Sequence, residues 1–243
     1  MLAAAVELYR NRLLADSQAL GYLARRGFGR DVVEQAQLGF AADDELARYL
    51  AWRNLPVHAA RRCGLLDAEG HDRMIGRIII PEVRQGEPVW LVGRALDPDV
   101  SKPKYLGLPG RKPLLGWDLA STDLRGVYLV EGPLDMLALR QWGVPALALC
   151  GTRVLPESVS LLTRWGRVYT VLDADAAGQE ATAHLVQALG SRVIPVALPP
   201  GIKDPAELAP RPDGEALFRA AIRAAVGRDL GKSPGIQDEA HRA

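Results

Sequence analysis

The sequence predicts two domains: a mixed α+β domain over residues 1–112 and an α/β domain, a parallel sheet with flanking helices, over residues 123–212. Three observations predict this division. The N-terminal quarter of the chain shows short helical patterns, and a β-branched hairpin pattern follows at 75–96. Between 126 and 199, short apolar runs alternate with helical segments of 10–13 residues. Such alternation is typical of right-handed βαβ units and therefore of a parallel sheet.

The elements of the first domain follow from apolar spacing and capping residues. A helix is predicted over 2–15, and a second helix, capped by Asp16 or Ser17, ends before Gly27. Shorter helices are predicted over 31–37, 43–52 and 56–62. Two strands joined by a turn at Arg84-Gln-Gly-Glu-Pro form the hairpin. Residues 97–116 are rich in Pro, Gly and Lys, which favours an ordered loop.

The elements of the second domain alternate in type. Strands are predicted over 127–130, 146–149, 168–172 and 193–198, and helices over 133–142, 156–165 and 177–189. The segment 213–243 is expected to contain one more helix over 213–228, followed from Gly231 by a polar, disordered tail.

Composition excludes several classes of protein. The chain has 30 Lys+Arg against 29 Asp+Glu, so it is not a polybasic nucleic-acid binder. No apolar run is long enough to cross a membrane, and we expect an intracellular protein. Only Cys63 and Cys150 are present, which excludes a Cys-based zinc ribbon. Charge is divided along the chain, because residues 51–112 carry 11 basic and 7 acidic side chains, whereas residues 121–215 carry 8 basic and 11 acidic ones.

Acidic residues follow three of the predicted parallel strands. Glu131 ends the first strand, Asp173 and Asp175 follow the third, and Asp204 follows the fourth, while Asp135 lies one helical turn after Glu131. Ligands bind at the carboxyl ends of parallel strands, so these carboxylates are expected to converge at one edge. Clustered carboxylates repel one another, and a divalent cation removes that cost. Oxygen ligands without Cys or His favour Mg²⁺ or Mn²⁺ and phosphate chemistry, and exclude zinc.

Each of these residues also has a structural interpretation. An Asp at the end of a strand is often a helix cap, and Asp173 or Asp175 could cap the helix that begins near Ala177. Three strand ends that are all acidic favour the metal-site interpretation over three separate caps.

The motif of Glu131-Gly with Asp173-x-Asp175-x-x-Gly resembles the Toprim domain, and flanking motifs sharpen the resemblance to the bacterial-type DNA primase family. Those motifs occur in the family's order: Tyr22-Leu-Ala-Arg-Arg-Gly27, Leu38-Gly-Phe40, Gly76-Arg-Ile-Ile-Ile-Pro81, Gly93-Arg94, Pro103-Lys-Tyr-Leu106, Leu115-Gly-Trp117, Gly151-Thr152 and Leu198-Pro-Pro-Gly-Ile-Lys-Asp204-Pro205. The resemblance covers roughly residues 5–210. It does not include the zinc ribbon or the helicase-binding domain of the family.

The resemblance implies synthesis of short RNA primers on a single-stranded DNA template by metal-dependent nucleotidyl transfer. It implies catalytic metal ligands at Glu131, Asp173 and Asp175, with Asp135 and Asp204 close to one or two Mg²⁺ or Mn²⁺ ions. The residues that would contact template or nucleoside triphosphate are Arg77, Arg94, Lys104, Tyr105, Lys112 and Lys203.

The resemblance also implies partners and leaves alternatives. A replicative helicase or a separate zinc-ribbon protein would assist, in the cytoplasm at the nucleoid and away from membranes. The family usually has Asp-Pro-Asp where this chain has Asp204-Pro205-Ala206, so one carboxylate is missing, although Glu207 follows. Two other functions stay open here: a Toprim-type nuclease, and a non-catalytic replication accessory that binds single-stranded DNA.

Overall fold

A computed structural model describes residues 1–96, 103–151 and 153–232. Thr152 and most of the predicted tail, 233–243, lie outside the described residues. The first domain opens with the predicted helices, which are α1 (Leu2–Ala15), α2 (Ser17–Arg25), α3 (Arg30–Gln35), α4 (Leu46–Trp52) and α5 (Val57–Arg62). The Asp16 side chain accepts a hydrogen bond from the Ala19 amide at 2.8 Å, which confirms Asp16 as the cap of α2.

The first domain contains an antiparallel sheet of order β1-β2-β3-β4. Its strands are β1 (Gly39–Ala41), β2 (Arg77–Arg84), β3 (Glu87–Ala95) and β4 (Tyr105–Gly107). The predicted hairpin is confirmed as β2 and β3. The sequence did not predict β1 and β4, because each has three residues and no alternation of buried and exposed positions. Pairing with the hairpin stabilises both short strands.

The second domain contains a parallel sheet of order β6-β5-β7-β8. The strands are β5 (Gly126–Val130), β6 (Ala146–Ala148), β7 (Arg167–Val171) and β8 (Val193–Pro195). The helices are α6 (Trp117–Ala120), α7 (Pro133–Gln141), α8 (Pro156–Leu162), α9 (Ala176–Leu189) and α10 (Gly214–Lys232). The predicted fold class is therefore confirmed. Strand β8 is shorter than predicted, since its pairing with β7 ends at Pro195, opposite Thr170. Helix α10 is longer, and takes in Gly231, where the tail was expected to begin.

One hydrophobic core continues across both domains. Ile79 and Val92 of the first sheet belong to the same buried cluster as Val130, Met136 and Ala148 of the second domain. A separate cluster fills the other face of the parallel sheet, beneath α8 and α9. The shared core holds the antiparallel sheet beside the beginning of α7. Among the described helices, none combines the length and the apolar composition that crossing a membrane requires.

Candidate functional site

The candidate site lies at the carboxyl edge of the parallel sheet. Val130 of β5 pairs with Val171 of β7, so Glu131 and Asp173 leave neighbouring strands at the same level. Burial raises the pKa of both carboxyls, and repulsion from the neighbouring carboxylates, among them Asp175, adds to the effect. The structure therefore brings these acidic residues to one edge, close enough to repel one another.

Glu131 carries an unsatisfied atom at the centre of this edge. Its Oε2 is buried and has no hydrogen-bond partner among the residues that the structure describes. A buried carboxylate oxygen without a partner costs free energy, which a bound cation would recover. The ammonium groups of Lys104 and Lys203 are near enough to lower the pKa of Glu131 in part, although both lysines are exposed.

Asp135 has a different place from the other carboxylates. It is 7% exposed, and its two oxygens accept hydrogen bonds from the backbone amides of Gly132 at 2.9 Å and Ala206 at 3.1 Å. Burial, with repulsion from Asp204 and Asp173, raises the pKa of Asp135 to about 7. Asp135 thus ties the beginning of α7 to the 3-10 turn Pro205–Glu207.

Asp175 and Asp204 act as caps in this structure. Asp175 accepts a hydrogen bond from the Gly178 amide at 2.9 Å and begins α9. Asp204 accepts one from the Glu207 amide at 3.0 Å and begins the 3-10 turn. The structural interpretation is therefore correct for Asp175, and a cap occupies only one carboxylate oxygen of each residue.

The carboxylates share an edge without forming a closed cluster. Among the described residues, no three His, Cys, Asp or Glu side chains come together as a metal-binding group. Mutual repulsion and the capping hydrogen bonds account for this spread. The donor set still fits a hard divalent cation, because it consists of oxygens and includes the unpartnered Oε2 of Glu131.

Arg94 and Tyr105 face this edge from the first domain. Arg94 is 6% exposed, and donates to the hydroxyl oxygens of Tyr22 at 2.6 Å and Tyr105 at 2.8 Å. The Tyr105 hydroxyl would lie 3.9 Å from a Cβ atom built at Gly132. Burial raises the pKa of Tyr105, so the hydroxyl stays protonated. Arg94 therefore fixes a neutral phenol next to the beginning of α7.

The structure corrects the prediction for Arg77. This residue was expected in a basic groove, but it is 4% exposed. Its guanidinium donates to the backbone carbonyls of Pro103 at 2.9 Å and Gly93 at 3.4 Å. Because Arg77 begins the central strand β2, its side chain crosses β3 and joins the sheet to the segment before β4. It supports the sheet and does not face solvent.

The predicted lysines are exposed. Lys112 donates to the Cys150 carbonyl at 3.1 Å. Lys104 and Lys203 lie near the acidic edge, since both lower the pKa of Asp173. The structure thus places a lysine from each domain beside the acidic edge.

A small cavity lies next to Glu131, and two of its lining residues, Trp90 and Cys150, were not predicted as site residues. It has a volume of about 120 Å³, and its lining includes Trp90, Tyr105, Lys112, Glu131 and Cys150. Trp90 fits there because β4 has a glycine at Gly107, where a Cβ would meet the indole at 2.5 Å. Cys150 has a φ of 56°, a strained value for a residue with a side chain. No sequence signal marks Cys150 for this position, and the motif that contains Tyr22 assigned that residue no role at the site.

Comparison with known proteins agrees with this geometry. The family described as DNA primase catalytic core, N-terminal domain, matches residues 8–112, and the Toprim-like family matches residues 128–209. The DNA primase of Pseudomonas aeruginosa is 32% identical over an alignment of 251 positions, which covers 91% of this chain and 37% of that protein. The chain spans about a third of the length of such curated relatives.

Two solved structures extend the comparison. The RNA polymerase domain of Mycobacterium tuberculosis primase, in complex with a DNA duplex that has a 6-nucleotide overhang, superposes with a TM-score of 0.81 at 28% identity, covering 91% of this chain and 78% of that one. A DnaG primase catalytic domain bound to single-stranded DNA gives 0.75 at 26% identity, covering 91% and 78%. By its two consecutive family matches and its fold, the chain belongs to the bacterial-type DNA primase family, as part of the catalytic core.

Proposed function

We propose that this chain synthesises short RNA primers on a single-stranded DNA template by metal-dependent nucleotidyl transfer. The observation that carries the proposal is the buried, unpartnered Oε2 of Glu131, at an acidic edge that Lys104 and Lys203 approach. Membership of the primase family and the two similar structures that contain DNA support it. The enzyme would be a DNA-directed RNA polymerase of the primase type, acting at the nucleoid in the cytoplasm.

Glu131, Asp173 and Asp175 are the proposed ligands of Mg²⁺ or Mn²⁺. A bound divalent ion would polarise a phosphate oxygen and offset charge as the phosphodiester bond forms. Asp135 and Asp204 shape this edge through their hydrogen bonds to backbone amides. Because Ala206 replaces an acidic residue of the family, one strong ion site fits the carboxylates better than two equal ones.

The cationic side chains are the proposed substrate contacts. Lys104 and Lys203 are exposed beside the acidic edge, where an ammonium group can bind the phosphates of a nucleoside triphosphate or of the template. Lys112 lines the cavity next to Glu131, which supports a proposed contact with the same nucleotide. Arg94 acts through Tyr105, whose hydroxyl it holds at the beginning of α7. A replicative helicase or a separate zinc-ribbon protein is the proposed partner.

Incorporation of labelled ribonucleotides on mixed-sequence single-stranded DNA tests the proposal. The wild type, Asp173→Ala and the control Asp213→Ala would be assayed with Mg²⁺ and with Mn²⁺. Asp213 pairs with Arg211 on an exposed surface, so its loss leaves the acidic edge intact. We expect template-dependent oligonucleotides from the wild type and the control, and none from Asp173→Ala.

Two results would overturn the proposal. Metal-dependent cleavage of the DNA without added nucleotides would identify a nuclease. Binding of single-stranded DNA without synthesis, even with a zinc-ribbon protein added, would identify a non-catalytic accessory.

A further inference from the structure

The turn between β2 and β3 contacts the second domain directly. Gln85 and Gly86 have φ values of 53° and 80°, which is the two-residue turn typical of tight hairpins. Their backbone amides donate to the two carboxylate oxygens of Asp118, on α6, at 3.0 and 3.1 Å. One carboxylate of the second domain therefore holds the tip of the hairpin.

Glu82 makes a second contact from within β2. Its side chain is completely buried, yet its Oε2 accepts a hydrogen bond from the Gly116 amide at 2.6 Å. Its Oε1 accepts one from Arg84 at 3.2 Å, and the Arg84 guanidinium lies 4.8 Å from the ring centroid of Trp117. Both oxygens of this buried carboxylate therefore have partners.

Gly116 belongs structurally to the second domain. The residue before it, Leu115, exchanges two backbone hydrogen bonds with Ala148, at 3.0 and 2.9 Å. A Cβ at Gly116 would lie 2.5 Å from the Met136 sulfur and 2.7 Å from the Ala146 carbonyl oxygen. Met136 follows Asp135 on α7, so the partner of Glu82 packs directly against the helix that begins at the acidic edge.

The antiparallel sheet connects this contact with the functional residues. Strand β2 pairs with β3, which carries Arg94, and β3 pairs with β4, which carries Tyr105. We propose that Glu82, through Gly116, is a positioning residue for primer synthesis, because it sets the Arg94–Tyr105 side of the sheet against the acidic edge. This inference rests on the proposed function, but the distance that it predicts can be measured without nucleotides.

The test compares Glu82→Leu with Glu82→Gln in the full chain. Leucine fills the space and leaves the Gly116 amide without an acceptor, whereas glutamine retains an acceptor. Spin labels would be attached through a keto amino acid at the exposed positions of His58 and Glu180, one in each domain, so that both native cysteines remain. Pulsed electron resonance then reports the distance between the domains.

We expect one narrow distance distribution in the wild type, a broader or displaced one in Glu82→Leu, and a narrow one again in Glu82→Gln. We also expect kcat for primer synthesis to fall about 10-fold or more in Glu82→Leu with a smaller change in KM, and to recover in Glu82→Gln. A narrow, wild-type distribution in Glu82→Leu would overturn the inference, whether or not activity falls. If Glu82→Leu does not fold by circular dichroism, Asp118→Ala, which frees the hairpin turn, must broaden the same distribution.

If the wild type makes no primers, that result contradicts the proposed function, independently of the distance measurements. The distance distributions still decide whether Glu82 sets the arrangement of the two domains.

Discussion

Two of the places where the two domains meet differ in how their carboxylate oxygens are paired. At the hairpin contact, formed by Glu82, Asp118 and their partners, all four carboxylate oxygens accept hydrogen bonds. At the acidic edge, Oε2 of Glu131 is buried and accepts no hydrogen bond from the described part of the chain. Since an unpaired buried charge costs free energy, the first arrangement joins the domains with every carboxylate oxygen paired, and the second is expected to bind a ligand.

Among the substitutions that test this difference, Glu131→Gln is expected to have the largest effect on activity. Primer synthesis should fall by about 100-fold or more, because a proposed metal ligand is lost. The unfolding temperature should rise at pH 8, since burial and neighbouring carboxylates make the ionised form of Glu131 unfavourable. Incorporation assays and thermal melts measure the two effects. A fall in both activity and stability would mean that Glu131 serves mainly to hold the fold.

Arg94→Lys tests the basic side of the same edge. One guanidinium spans the hydroxyls of Tyr22 and Tyr105, which a single ammonium group does not reproduce. We expect kcat to fall about 10-fold. Arg125→Lys, at an exposed position paired with Asp123, is the matched control. Equal rates of primer synthesis in the two variants would contradict a role for Arg94 at the site.

Lys203→Gln should have a smaller effect, because this side chain is exposed. Binding of single-stranded DNA should weaken about 2- to 5-fold. The slope of the logarithm of the binding constant against the logarithm of the salt concentration should fall in magnitude by about one. Fluorescence anisotropy at several salt concentrations measures both quantities. Arg30→Gln, on an exposed helix position paired with Glu34, serves as the control. An unchanged salt slope would place Lys203 outside the path of the nucleic acid.

Glu82→Gln should alter stability more than activity. Burial raises the pKa of Glu82 to about 7 from a usual value of 4.5, although Arg84 partly opposes this. Between these values the folded state keeps a proton that the unfolded state has released, so the wild type loses stability as the pH rises. The variant lacks this loss, and its melting temperature should exceed that of the wild type by about 3 °C or more at pH 8, with little difference at pH 4.5. Melting curves across this range would contradict the account if the difference stayed constant.

Local signals in the sequence were sufficient for most of the fold. Each of these signals depends on residues close together in the sequence. The structure contains the helix cap at Asp16, the helix start at Pro133 and the alternation of strands and helices. The acidic edge could also be predicted, because the topology of a parallel sheet brings strand ends together.

Other features depend on contacts that lie far apart in the sequence. Arg94 and Tyr22 are separated by 72 positions, and nothing local to either residue predicts their hydrogen bond. The burial of Arg77 depends in the same way on Pro103, and β1 exists only because β2 supplies its partner. The strained φ of Cys150 is likewise set by tertiary packing.

Binding of Mn²⁺ tests most directly the claim that the carboxylates of the acidic edge form a cation site. Calorimetric titration would compare the wild type with Asp173→Asn and with Asp213→Asn, which alters an exposed ion pair away from the acidic edge. The account predicts equal affinity for the wild type and Asp213→Asn, and a loss of about 10-fold or more in Asp173→Asn. Equal affinity in all three proteins would contradict it.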